Sequence, residues 1–514
     1  MKPRYPTAKD VDVLLLLEGT YPFVRGGVSS WVHALILGFP GVRFGVAFLG
    51  SEPGAYQGVQ YDLPANLVHL EAHYLQDRGR PAPEAAGRPA APVFHDLHEM
   101  HKSFQAPEGF AGGEAFHKVI GHLMQGNLAE DHFHHSKEAW DMLTSLYRER
   151  STDPSFVDYF WTVRSMHEPI WALARIARTL IPARCYHSVS TGYAGFLGAM
   201  LAGAAKKPFI LSEHGLYTKE RKIDLFHSAW IREGKDPLAA GAPEGGYIRN
   251  LWIRFFEVLG RAAYASADPI VSLYEGIRLR QVEDGAAAER TRCIPNGIRL
   301  ERFAPLRARQ ALPPEPIFVL LGRVVPIKDI KTFIRAMRTV RNRVPGGQGW
   351  IVGPTEEDPT YHAECQALVE MLGLGEGVRF LGFRNVEEIL PQAAVLVLSS
   401  ISEALPLTLL EGFAAGVPAV ATDVGSCRQL IQGRAEDADD TGLGAAGRIV
   451  DIGDPAGLAE AILGLYGAPE EWESARAAGI ARVERYYTDT RMLGSYAAIY
   501  AEALKRPLPE ADRG

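Results

Sequence analysis

Short apolar runs separated by helix-length amphipathic segments recur along the whole chain. In the first half the runs are VDVLLLLEG (11–19), RFGVAFLG (43–50), PFILSEHG (208–215) and ADPIVSLYEG (267–276). In the second they are PIFVLLGR (316–323), GWIVGP (349–354), VRFLGF (378–383), AVLVLSS (394–400) and VPAVATDVG (417–425). Apolar runs without polar alternation suit strands buried on both faces, and the segments between them supply the crossovers of a parallel sheet. Each run ends at or beside a Gly, Ser or acidic residue, at the carboxyl edge where open α/β sheets bind ligands.

The pattern predicts an α/β protein with two Rossmann-like, doubly wound parallel-sheet domains facing each other across a cleft. The Pro- and Ala-rich stretch APLRARQALPPEP (304–316), after the turn dipeptide Asn296-Gly297, marks the break between them. The expected organisation is an N-terminal domain over 1–305, a C-terminal domain over 306–485, and a helix over 486–514 that crosses back. A length of 514 residues agrees, because single cores stop growing near roughly 250–300 residues.

Residues 52–150 break the rhythm and read as a helical insertion with little strand pattern. Eight of the sixteen histidines fall between His95 and His135, and His95, His98 and His101 could share a helix face. Without HExxH or paired Cys/His spacing, surface histidines are expected there and no metal site.

Charge and cysteines narrow the function. A net charge of −7, from 54 basic and 61 acidic residues, argues against gripping nucleic acid. Four well-separated cysteines form no CxxC pair and suggest a reducing compartment. No run approaches the ~20 apolar residues of a membrane span. YIRNLWIRFFEVLGRAAYA (247–265) could lie on a membrane but fits a core helix better.

The chemistry concentrates in SSISEALPLTLLEGFAAGVPAVATDVG (399–425). A strand ends at Ser399-Ser400, Glu403 sits in a loop, and Pro406 opens a helix whose first amides, on Leu407 and Thr408, suit an anion such as phosphate. Glu403 and Glu411 can touch different parts of one extended ligand, and a carboxylate accepts from a sugar diol. Their bland alternatives are a capping and a solvated glutamate. In LLGRVVPIKDIKTFIRA (320–336), Arg323 and Lys328 follow a strand end and could neutralise a diphosphate, with Lys331 a competing candidate. His214 ends another strand, beside Glu213 and Gly215, and could contact a sugar. The Gly26-Gly27 pair in EGTYPFVRGGVSSWVHALI (18–36) lacks GxGxxG spacing, which excludes a dehydrogenase fingerprint; it suits close backbone approach to a ligand. In AEDADDTG (435–442), Asp437 and Asp439 form a DxD pair, expected to be a solvated loop.

The E-x7-E of Glu403 and Glu411, the GR…K of Arg323 and Lys328, IPNGIRLERF (294–303) and the GG loop occur in an order that resembles the retaining glycosyltransferases of family 4, which have the GT-B fold. EGTYPFVRGGVSSWVHALI, YHSVSTGYAGFLGAMLA (186–202), SEHGLYTKER (212–221) and the long insertion are similar to a narrower group of cytosolic exopolysaccharide glycosyltransferases. The resemblance implies a UDP-sugar donor, a polysaccharide or oligosaccharide acceptor, and retention without an enzyme nucleophile. It implies no metal or other cofactor. Glu411 would hold the ribose, and Arg323, Lys328 and the amides near Leu407 and Thr408 the diphosphate. Glu403 would hold the donor hexose, and His214 would meet it from the other domain. Gly26 and Gly27 would line the donor side. The implied setting is the cytoplasm, at the inner membrane face beside membrane-embedded export partners. The competing reading is a noncatalytic UDP-sugar-binding subunit of a synthesis complex.

Overall fold

Every predicted apolar run becomes a strand in the computed structural model, which describes residues 5–76, 91–103, 114–150, 155–227, 246–308, 311–313 and 315–505. The chain divides into two compact units, Met1–Cys293 with Tyr496–Gly514, and Ile294–Ser495. The helix Asp489–Leu504 begins in the second and ends in the first.

Unit 1 holds a seven-stranded sheet of β1 (Val11–Glu18), β2 (Phe44–Gly50), β3 (Leu67–Tyr74), β4 (Ala183–Ser188), β5 (Phe209–Glu213), β6 (Ile270–Ser272) and β7 (Thr291–Cys293), in the order β3-β2-β1-β4-β5-β6-β7. All its pairings are parallel. β1 lies inside the sheet, with Leu15 paired to Val46 on one side and His187 on the other. Val13 to Leu17 are fully buried, each leucine contributing about 1.5–3 kcal/mol by leaving water.

The stretch 52–150 is not purely helical: it contains β3, LVHLEAHY, at the sheet edge. Edge placement explains why its pattern is broken by His69, Glu71 and His73. The helices Ala91–Ser103, Glu114–Gln125 and Lys137–Arg150 contribute Leu97, Val119 and Leu143 to the same apolar cluster as Leu14 and Leu16 of β1. The insertion therefore shares the core of unit 1. The helix Tyr247–Ser266 also packs there, burying Phe255, Phe256, Leu259 and Tyr264. No helix among the described residues is long and apolar enough to cross a membrane.

Unit 2 holds a six-stranded parallel sheet, β8 (Ile317–Leu321), β9 (Gln348–Val352), β10 (Val378–Gly382), β11 (Val395–Leu398), β12 (Ala419–Thr422) and β13 (Gly447–Val450), in the order β10-β9-β8-β11-β12-β13. The segment IPNGIRLERF belongs to this unit, so the division lies before the Pro- and Ala-rich stretch 304–316. Ile298 bridges to Thr488, and Gly297 sits against the Thr488 carbonyl so closely that a Cβ there would lie 2.2 Å from its oxygen.

Candidate active site

In unit 2 the carboxyl ends of β8 and β11 bring together the residues singled out around Lys328 and Glu403. β8 runs out at Gly322, whose carbonyl lies so near Gly353 that a Cβ on the latter would sit 2.0 Å away. The chain then makes a short turn, Pro326–Lys328, pinned to the neighbouring strand end by Ser399, whose hydroxyl donates to the Lys328 carbonyl at 3.0 Å. From there Lys328 Nζ reaches Glu403 Oε1 at 2.5 Å, and Ser400 Oγ donates to the same oxygen at 2.6 Å. Both charged side chains are largely buried, at 21% and 12% exposure. Lys331 is engaged elsewhere, 2.6 Å from Glu364 and over the Tyr361 ring, which singles out Lys328 as the lysine facing this loop.

Arg323 is placed differently. Its guanidinium is half exposed and pairs with both oxygens of Glu357, at 2.5 and 2.7 Å. No contact joins it to Lys328 in this state. The two cations follow the same strand, and each is neutralised by its own carboxylate.

The loop carrying Glu403 is held from behind by a glycine. Gly425 has φ +54°, and a Cβ there would lie 2.2 Å from the Glu403 carbonyl and 2.6 Å from that of Ala404. The Ser426 amide donates to Ala404 at 2.9 Å. After Glu403, Pro406 caps the helix Leu407–Ala414 without any side-chain cap. The amides of Leu407 and Thr408 have no intrahelical acceptor and sit at the positive end of the helix dipole. On this helix Glu411 is half buried, and among the described residues nothing hydrogen-bonds its carboxyl. Burial pushes its pKa up to about 7; nearby Arg302 opposes the rise and Glu387 adds to it. Arg302 itself is paired with Glu387. A half-buried carboxyl without a hydrogen bond is the kind of group a ligand diol would satisfy.

The DxD pair has other employment. Asp437 caps the short helix Ala438–Thr441 and pairs with Arg434 at 2.6 Å, and Asp439 pairs with Arg485 at 2.5 Å. Between them Asp440 is fully buried against Arg482 at 2.7 Å, so the run is a mostly exposed turn, as expected of a solvated segment, anchored through Asp440.

In unit 1, His214 follows β5 directly. The residue before it, Glu213, is buried and accepts from Thr191 Oγ1, the Tyr217 amide, Tyr264 OH and Gln281 Nε2, at 2.8 to 3.3 Å. This fixes the strand end. The His214 ring packs edge-on against Trp31, centroids 4.3 Å apart, and among the described residues its Nε2 has no hydrogen-bond partner. Burial drops its pKa to about 4, so the ring is neutral at pH 7. Gly26 and Gly27 begin the helix Gly27–Gly38 that carries Trp31. Gly26 is extended and a Cβ there would meet nothing within 4 Å, so sterics do not demand a glycine.

His214 lines a cavity of about 690 Å3 whose other walls include Glu18, Thr20, Val28, Ser190, Tyr193, Tyr217 and Arg221. Gly26 and Gly27 are not among its lining residues. Reading the sequence passed over Glu18, Tyr217 and Arg221, although a carboxylate closing the apolar run VDVLLLLE was a usable signal. Among the described residues no three His, Cys, Asp or Glu side chains group as metal ligands. His101 of the insertion stacks on His167 of the helix Phe156–Thr179, with their Nε2 atoms 3.1 Å apart.

Residues 11–289 match the family described as a domain of unknown function, DUF3492, and residues 315–468 match the one described as glycosyl transferases group 1. The chain belongs to the DUF3492 family, and its second unit carries a match to the glycosyl transferases group 1. The D-inositol 3-phosphate glycosyltransferase of Streptomyces griseus subsp. griseus is 29% identical over 261 residues, which are 49% of this chain and 51% of that protein. The exopolysaccharide phosphotransferase SCO2592 of Streptomyces coelicolor is 36% identical over 185 residues, 36% of this chain and 18% of that protein. The chain spans about half the length of the first of these relatives and far less of the second. The crystal structure of Anabaena Alr3699/HepE in complex with UDP superposes with a TM-score of 0.56 at 14% identity, covering 96% of this chain and 100% of that one. The fold is GT-B, with two Rossmann-like domains.

Proposed function

We propose that the protein transfers a hexosyl unit from a UDP-sugar, UDP-glucose or a UDP-N-acetylhexosamine, to a growing exopolysaccharide of the Pel type, in the role of PelF. The observation that carries this reading is the convergence at the ends of β8 and β11. Lys328 and Glu403 meet there, next to a helix start with two free amides and a carboxyl on Glu411 that lacks a partner. A nucleoside diphosphate sugar supplies what each lacks: phosphate oxygens for Lys328 and the amides, a ribose diol for Glu411, and hexose hydroxyls for Glu403.

Departure of the nucleoside diphosphate concentrates negative charge at its phosphates. Lys328 and the helix start face that charge, and Arg323 joins them by leaving Glu357. This reading assigns the electrostatic work to the chain's own groups, with transfer retaining the anomeric configuration. His214, neutral and carrying an unpartnered nitrogen, is the unit 1 contribution to the donor sugar. Gly26 and Gly27 are proposed on the donor side. The resemblance of the first half supports a cytoplasmic protein recruited to the inner membrane face by export partners.

The test is a panel of UDP-sugars with product detection and anomer assignment by NMR, run alongside Glu411→Ala. Turnover with one UDP-hexose and a large loss of UDP affinity in the variant are expected. If no UDP-sugar turns over, or Glu411→Ala keeps full affinity for UDP, the reading fails.

A further inference from the structure

The helix Phe156–Thr179 is apolar on two sides. Tyr159, Val163, Met166 and Ile170 pack into the core of unit 1. On the outer side Val157 and Trp161 are 61% and 59% exposed, and the neighbouring helix Lys137–Arg150 adds Trp140 at 51%. The rings form one patch. Trp140 lies 5.5 Å from Phe156 and 5.9 Å from Phe160, centroid to centroid, and Phe160 lies 5.6 Å from Trp161. Single exposed apolar side chains are ordinary, but contiguous tryptophan and phenylalanine rings mark a surface that another body covers.

The charges on this face say which body. The Arg164 guanidinium stands over both Phe160 and Trp161, 5.3 and 5.7 Å from the ring centroids, and donates to the His134 carbonyl at 3.1 Å. Among the described residues no carboxylate pairs with it. Asp158, exposed on the same helix, accepts from Ser155 Oγ at 2.7 Å and pairs with no cation among those residues. Trp161 lies midway between the two, three residues from each. An antiparallel second copy, related by a two-fold axis at Trp161, brings its Asp158 level with Arg164, and the reverse pair forms by symmetry. The face therefore carries both halves of its own charge complement. A surface built for an anionic bilayer is basic around its aromatic rings. Here Lys137 and Arg164 are matched by Asp141, Asp158 and Glu168.

We propose that this aromatic face of unit 1 is a homodimer contact, on which a second copy of the chain packs antiparallel over Trp161 and sets its Asp158 against Arg164. The inference does not depend on the donor-sugar reading.

The test is sedimentation velocity on the full chain between about 1 and about 100 μM, the range that brackets a micromolar dissociation constant. A concentration-dependent dimer is expected, with a blue shift of tryptophan emission as Trp140 and Trp161 leave water. Trp161→Glu, Arg164→Glu and Asp158→Arg are each expected to weaken association at least tenfold, with melting temperatures near that of the wild type because all three sit on the outer face. An equal mixture of Arg164→Glu and Asp158→Arg is expected to regain the dimer, since a heterodimer of these two variants restores both ion pairs. A wild type that stays monomeric throughout would overturn the proposal, including one that pellets with phosphatidylglycerol vesicles instead. So would a dimer that survives Trp161→Glu, or a mixture that associates no better than either variant alone.

Discussion

Lys328 and Glu403 form an ion pair that occupies both groups before any ligand arrives, with Nζ and Oε1 2.5 Å apart. A diphosphate must compete with Glu403 for the ammonium. Lys328→Ala is therefore expected to weaken UDP binding roughly ten- to a hundredfold, the scale of one or two charge-assisted hydrogen bonds. Glu403→Ala is expected to leave UDP affinity equal or stronger while abolishing transfer. Calorimetry with UDP and a turnover assay separate the two. Equal losses of UDP binding in both variants would show that the pair acts only as a structural brace.

Arg323 gives a second test, because its partner is exposed and dispensable. If the guanidinium swings from Glu357 to the phosphates on binding, Glu357→Gln removes the competitor and UDP affinity rises about two- to threefold, the modest scale of an exposed ion pair. In Arg323→Ala the Glu357 change has no further effect. Additive effects in the double variant would rule out the exchange.

Glu411 predicts a pH dependence of binding and of stability. Its pKa in the folded chain, about 7, lies above the ordinary 4.5, so the folded state favours the protonated form. The penalty for ionising it accrues as pH rises from 4.5 to 7. Glu411→Gln is thus expected to stabilise the unliganded chain by about 3 kcal/mol at pH 8 and by nothing at pH 4. Uridine, which carries no phosphate, should bind about tenfold more tightly at pH 8 than at pH 6, as the carboxylate becomes available. A flat uridine profile in the wild type, or one unchanged in Glu411→Gln, would remove Glu411 from the ribose.

The buried histidines of unit 1 act in the opposite sense. His187 is driven down to about 3 and His214 to about 4 by burial, below the ordinary 6.5. Their stabilising contribution is complete above pH 6.5 and is lost as pH falls toward those values. Each costs about 2 kcal/mol between pH 6.5 and 5. Comparing melts of wild type and His187→Gln over that range isolates the effect; parallel curves would show that burial does not hold His187 neutral.

Much of this architecture was legible because buried parallel strands write themselves as unbroken apolar runs. β4 escaped because its sequence, ARCYHS, is polar, although it sits between β1 and β5. Its His187 is made tolerable only by distant partners, Tyr500 OH and Ser212 Oγ, each at 2.8 Å. β7 and β13 are short edge strands with little burial, and no pattern had reason to mark them. In the candidate site, residue types and spacing pointed to Glu403, Glu411 and Lys328. They could not say that Lys328 would already hold Glu403, that Arg323 would face Glu357, or that Glu411 would stand alone. Those facts depend on which strand ends become neighbours, and Glu18 was hidden for the same reason.

The hydrogen-bonded chain from His187 through Ser212 ends on Tyr496 and Tyr500, both fully buried in unit 1 though they follow unit 2 in sequence. During synthesis the ribosome therefore releases the first sheet hundreds of residues before the tyrosines that close it. Until they emerge, the end of β5 lacks the Tyr496 contact to Ser212, one residue from the Glu213–His214 pair. The core of the first unit is therefore closed only after the whole of unit 2 has been synthesised.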